Sequence, residues 1–220
     1  MNYSLLKELL EQAEEFERLR PTGSAPADIK TFAAWLHGHT AAPKAARGPS
    51  APLSVPGMTP EAEIGKLLLF LTRYARSYIR QGLAGTPLLT PDDFAYLATV
   101  LGHQPLSKTE LIARNVHEKP SGNEVIKRLL ARGLVQEQPH ATDRRSKLLT
   151  ITETGQGVLF EVFGRMEQAS QLIAGNLTAP ERAQLLYLLQ KLDAFHQPIY
   201  ANRPAGFQEL LQWLPKPEST

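Results

Sequence analysis

The chain has 220 residues, enough for one sizeable core with an appendage and short for two ordinary domains. With 42% hydrophobic and 21% charged residues it has the composition of a globular protein, and a formal net charge of +2 means that any nucleic-acid surface has to be local. The absence of cysteine excludes a disulfide framework, thiolate metal ligation and a cysteine nucleophile; without a basic-then-apolar leader or a run of membrane-spanning length, a soluble cytoplasmic chain with no membrane partner is expected.

Residues 3–20 set Leu6, Leu9, Ala13 and Phe16 at three- and four-residue steps among Glu8, Glu11, Glu14, Glu15 and Glu17, which predicts an amphipathic helix with one face in need of a partner. A second helix is expected over 26–37, where Ile29, Phe32, Trp35 and Leu36 are apolar. Residues 1–37 are therefore read as an N-terminal helical extension, and 38–58, rich in Ala, Pro, Gly and Ser, as a linker. His37 and His39 are two potential ligands with no third beside them, so neither a metal nor any other cofactor is expected.

The main domain is expected over 59–200. Thr59-Pro60 opens a long helix with Ile64, Leu67, Leu68, Leu71, Tyr74 and Tyr78 on one stripe, ending near Gly82. Thr90-Pro91-Asp92-Asp93 opens the next, carrying Phe94, Leu97, Ala98 and Leu101. Ser107 to Glu110 has the spacing of a capping box and starts a short helix with Leu111, Ile112 and Val116 as its apolar residues. Pro120 suits a helical first turn, so a further helix follows with Val125, Ile126, Leu129 and Leu130 toward the core and Gly133 as its stop. Residues 134–138 and 147–151 are strand-like and flank a polar stretch, which predicts a β-hairpin with a long tip. Helices over about 153–175 and 180–197 complete the domain, the second with Leu185, Leu188, Leu189, Leu192 and Phe195 on one stripe. Residues 201–220 form a tail in which Phe207, Leu210, Leu211 and Leu214 suggest one short helix.

Two short helices followed by a hairpin form a compact unit whose second helix can lie in a DNA major groove while the hairpin straddles the adjacent backbone. With Val125, Ile126 and Leu129 inward, that helix exposes Lys119, Ser121, Asn123, Glu124 and Lys127, of which Lys119, Ser121 and Asn123 are the base-proximal candidates. From Ser107 to Lys147 nine cations stand against five carboxylates, a net +4 that exceeds the charge of the whole chain. At the hairpin tip Asp143 can organise the neighbouring guanidiniums while Arg145 reaches phosphate or a narrow minor groove, with Arg144, Lys108 and Lys147 as further DNA contacts. No nucleophile elbow, phosphate-binding glycine loop or dinucleotide fingerprint is present, so the chain is not expected to be an enzyme.

The segment Leu111–Gly133, the following Leu134-Val135, the Asp143-Arg144-Arg145 tip and the run Leu149 to Gly155 resemble the MarR family of bacterial transcription regulators over about residues 60–197. The resemblance implies a mainly α fold with a small β-hairpin wing, a winged helix-turn-helix with a helical dimerisation region. In this sequence the DNA-binding lobe would span about 88–152, and the dimerisation helices about 60–83 and 153–197. It further implies a homodimer that reads a near-palindromic operator in double-stranded DNA, acts on nearby genes as a repressor or an activator, with repression the expected sign, and is released by an aromatic or apolar small-molecule effector. Tyr74, Tyr78 and Phe94 are the candidate effector-pocket residues. Asn115, Pro120 and Gly122 depart from the residues usual in that family. The alternative from the same residues is a winged-helix assembly module for protein partners, with no specific DNA target.

Overall fold

A computed structural model describes residues 3–19, 28–40, 59–139 and 147–215. The chain divides into two units, residues 1–58 and 59–220. In the first, α1 (Tyr3–Leu19) and α2 (Ile29–Thr40) form a helical hairpin. Asp28 caps α2, its Oδ1 accepting from the Thr31 amide at 2.7 Å. The hairpin closes on Phe16, buried with its ring 5.5 Å from Phe32 and 5.4 Å from Trp35. Leu5, Leu6, Leu9 and Leu10 of α1 remain exposed. Helix α2 continues to Thr40, three residues into the stretch expected to be linker.

The second unit runs α3 (Pro60–Gly82), α4 (Pro91–His103), β1 (Leu106–Ser107), α5 (Lys108–Arg114), α6 (Lys119–Ala131), β2 (Val135–Pro139), β3 (Lys147–Ile151), α7 (Glu153–Ala174), α8 (Ala179–Asn202) and α9 (Phe207–Leu211). Most helix starts follow local chemistry. Thr59 accepts from the Ala62 amide, and reciprocal capping boxes join Thr90 to Asp93 and Ser107 to Glu110. Thr152 Oγ1 accepts from the Gly155 amide to open α7. A Cβ at Gly155 would collide with the Leu134 carbonyl, so only glycine lets α7 start against the end of the α6–β2 connection.

The hairpin belongs to a three-stranded antiparallel sheet of order β1-β3-β2, with Leu106 opposite Leu149 and Val135 opposite Ile151. Strand β1 has no counterpart among the expected elements, because two residues carry no alternation to read. The core gathers Tyr96, Leu97 and Val100 of α4, Leu111 of α5, Ile126 and Leu129 of α6, Leu134, Leu149 of β3, and Leu159 and Val162 of α7, all buried. Burial of each large aliphatic side chain stabilises the fold by about 1.5–3 kcal/mol relative to exposure.

Two expectations are corrected. Val116, assigned to an apolar helix face, lies beyond α5 and is 56% exposed. Helix α8 does not stop near 197: it continues through Pro198 to Asn202, whose Nδ2 donates to the Pro198 carbonyl at 2.7 Å. Among the described residues of this unit, the apolar stripes of α3 and α8 stay exposed. Leu67, Leu68 and Leu71 on α3 and Leu185, Leu188, Leu189, Leu192 and Phe195 on α8 are each at least 38% exposed, and α8 has no buried residue.

Candidate nucleic-acid interface

Helix α6 begins at Lys119 with Pro120 in its first turn, where a missing amide proton costs no helical hydrogen bond. Val125, Ile126 and Leu129 are buried beneath it, and Lys119, Ser121, Asn123, Glu124 and Lys127 are exposed on the opposite side. Gly122 is buried where α6 settles on its neighbours. A Cβ there would stand 2.6 Å from Ile112 Cγ1 and 2.7 Å from the Tyr96 hydroxyl, so the larger residue usual at this position in the resembling family does not fit.

A buried ion pair sets the attitude of α6. Asp93, fully buried at the start of α4, accepts from the Leu89 and Thr90 amides through Oδ2. Its Oδ1 accepts from Arg128 of α6, Nη2 at 2.6 Å and Nε at 3.1 Å. The carboxylate thus satisfies a helix start and a guanidinium together, as a buried charge must. Arg128 therefore faces inward and is not part of the exposed cationic face. The capping sequence Thr90–Asp93 was legible, but nothing in it announced a partner 35 residues further on.

At the base of the wing, Glu137 of β2 binds two of the expected DNA contacts at once: Lys108 at 2.6 Å and Lys147 at 2.5 Å. Hydrogen bonds from these two lysines hold the Glu137 carboxyl below its usual pKa. Sequence reasoning missed this role of Glu137, although the pairing of β2 with β3 sets it opposite Leu149, two residues along β3 from Lys147. The tip residues Asp143, Arg144 and Arg145 lie outside the described residues.

A second polar network crosses from α3 to the turn before α6. Arg76 donates to both oxygens of Asp92 at 2.9 Å, and this guanidinium pulls the Asp92 carboxyl below its ordinary pKa. Asp92 Oδ1 lies 3.9 Å from His117 Nε2, while His117 Nδ1 shares a 3.0 Å hydrogen bond with the Tyr96 hydroxyl. Burial raises the pKa of that phenol to about 12. From α8, the Tyr200 hydroxyl donates to the His117 carbonyl at 2.7 Å. Of the candidate effector residues, Tyr74 and Tyr78 line a cavity of about 110 Å³ between α3 and α7, and Phe94 packs edge-on against Phe163 instead. Among the described residues no group of His, Asp and Glu could hold a metal ion.

A helix with a polar outer face, seated on a second helix and followed by an antiparallel wing, defines a winged helix-turn-helix regulator. A model described as MarR family matches residues 89–146. The HTH-type transcriptional repressor NicR of Pseudomonas putida is 35% identical over 144 residues, which are 65% of this chain and 90% of NicR. The chain belongs to the MarR family of transcription regulators. Among solved structures, Bordetella bronchiseptica BpsR, studied for regulation of its DNA binding by 6-hydroxynicotinic acid, is 27% identical with a TM-score of 0.56, over 60% of this chain and 98% of BpsR. Apo MarR from Escherichia coli, 24% identical with a TM-score of 0.51 over 59% of this chain and 96% of its own, shares the fold.

Proposed function

We propose that the protein is a homodimeric, operator-specific repressor that binds double-stranded DNA in the cytoplasm and releases it when a small organic effector binds. The observation that carries this reading is the exposed face of α6, with Lys119, Ser121, Asn123 and Lys127 on one side of a helix whose other side is buried. Ser121 and Asn123 offer donors and acceptors for base edges, and Lys119 and Lys127 offer charge to phosphates. Lys108, Arg144, Arg145 and Lys147 extend the contact along the wing, with Asp143 organising its tip. The apolar stripes of α3 and α8, exposed among the described residues, support the dimer, since about 25 cal/mol per Å² of apolar area favours burying them against a second copy. Repression follows the role named for NicR, and an aromatic acid as effector follows the ligand named for BpsR.

In this reading residues 1–37 are an extension, 38–58 a linker, 59–200 the regulator domain and 201–220 a tail. Tyr74 and Tyr78, beside the cavity between α3 and α7, and Phe94 of α4 are the effector-pocket residues. Selection of binding sites from random duplex, followed by footprinting, tests the function. The expected product is a near-palindrome with two protected half-sites, whose binding weakens steeply with salt. Enrichment of no sequence would leave the alternative, an assembly module for an acidic protein partner.

A further inference from the structure

The hairpin of α1 and α2 is small for a self-sufficient fold. Among its described residues Phe16 alone is buried, closed over by Phe32 and Trp35. Units below about 40 residues need a disulfide, a metal or a second chain to hold their fold. The sequence has no cysteine, and no group of His, Asp and Glu among the described residues could hold a metal ion. A second chain is the means left.

Helix α1 has more apolar surface than one neighbour covers. At 3.6 residues per turn, the arc from Leu19 through Phe16, Leu9 and Ala13 to Leu10 and Tyr3 spans roughly 200°, about twice the stripe by which a helix packs on one partner. Helix α2 takes the side around Phe16, where Gln12 and Ala13 are half-buried. On the other side Tyr3, Leu6 and Leu10 are 76%, 56% and 59% exposed, at the steps of three and four that make the seam of a helix pair.

Charge along this seam favours an identical partner. One flank carries Lys7 and Glu14, seven residues apart and opposite in sign. Lys7 has a 3.9 Å contact with Glu11 along its own helix, with both side chains largely exposed. Equivalent positions on one flank meet when two identical helices cross antiparallel, so each Lys7 comes beside Glu14 of the partner subunit, with the two Leu10 side chains near the symmetry axis. Within the homodimer, residues 41–58 tether the two hairpins at an effective concentration on the order of millimolar.

We propose that the α1 helices of the two subunits in one dimer pair antiparallel through Tyr3, Leu6 and Leu10. The two hairpins become a four-helix bundle, a second dimer contact beside the one made by α3 and α8. This rests on the homodimer of the proposed function; DNA reading does not enter it.

The test is chemical linking of the full-length chain, in which an introduced cysteine is the only one. Light scattering first establishes two chains per wild-type particle. Leu10→Cys treated with a short bis-maleimide links into a pair at least about tenfold faster than Glu8→Cys, on the opposite side of α1, and the linked particle still holds two chains. Leu6→Glu/Leu10→Glu raises the concentration at which the dimer half-dissociates at least about tenfold, and Leu6→Met/Leu10→Met leaves it unchanged. Equal linking rates for the two cysteine variants, linked particles of four chains, or an unmoved dissociation midpoint for the glutamate variant would each overturn the pairing and leave the dimer standing. One chain per wild-type particle at every concentration would overturn the dimer and the pairing with it.

Discussion

Replacing Asp93 by alanine removes a fully buried carboxylate that receives two backbone amides and the Arg128 guanidinium. Breaking a buried pair from one side costs about 3–5 kcal/mol, and the lost capping bonds fall within that figure. Arg128→Ala is expected to cost less, about 2–3 kcal/mol, because its side chain is 33% exposed and the Leu89 and Thr90 amides still hold Asp93. If the two side chains act mainly on each other, the double variant costs about as much as Asp93→Ala alone, which gives a coupling free energy of about 2–3 kcal/mol. Urea denaturation of the four proteins at neutral pH and fixed protein concentration measures it. Additivity within about 0.5 kcal/mol would refute the claim that this pair fastens α6 to α4.

Gly122→Ala should destabilise the fold by about 1–3 kcal/mol through overpacking against Ile112 and the Tyr96 hydroxyl, read from the same denaturation curves. Glu137→Gln should free Lys108 and Lys147 and remove a negative charge near the phosphates. Its affinity for the selected duplex should rise and the salt dependence steepen by as much as about 0.9 in log–log slope for each additional phosphate neutralised, as fluorescence anisotropy would show. Asp92 is held below its ordinary pKa mainly by hydrogen bonds from Arg76, so the stabilisation it supplies is complete above its unfolded value and is lost as pH falls through the lower folded value. Asp92→Asn should therefore be less stable than wild type near neutrality, with the difference narrowing in acid below about pH 4, as melting temperatures across that range would report.

Much of the fold is written in local signals. Thr59-Pro60, Thr90-Pro91 and Ser107 to Glu110 announce three helix starts because each satisfies amides within its own first turn. The inward set Val125, Ile126 and Leu129 fixes the outward set on α6 by helical geometry alone. What was hidden depends on distant pairings. Asp93 finds Arg128, Glu137 finds Lys108, and Tyr200 reaches the His117 carbonyl across 83 residues. Val116 misled for a related reason: apolar spacing assumes that the helix continues, and α5 ends at Arg114 before reaching it. The end expected near 197 fell short, since α8 carries Pro198 within its last turns and continues to Asn202.

The proposed function requires two copies of α6 displayed together at the pitch of B-form DNA. Duplexes carrying the selected site with its natural spacing, and with half a helical turn inserted between the half-sites, measure it when the mass of each complex is determined alongside its affinity. Two chains per natural duplex, with affinity falling toward the non-specific level on insertion, is the predicted result. One chain per duplex, or equal affinity for both spacings, would contradict it.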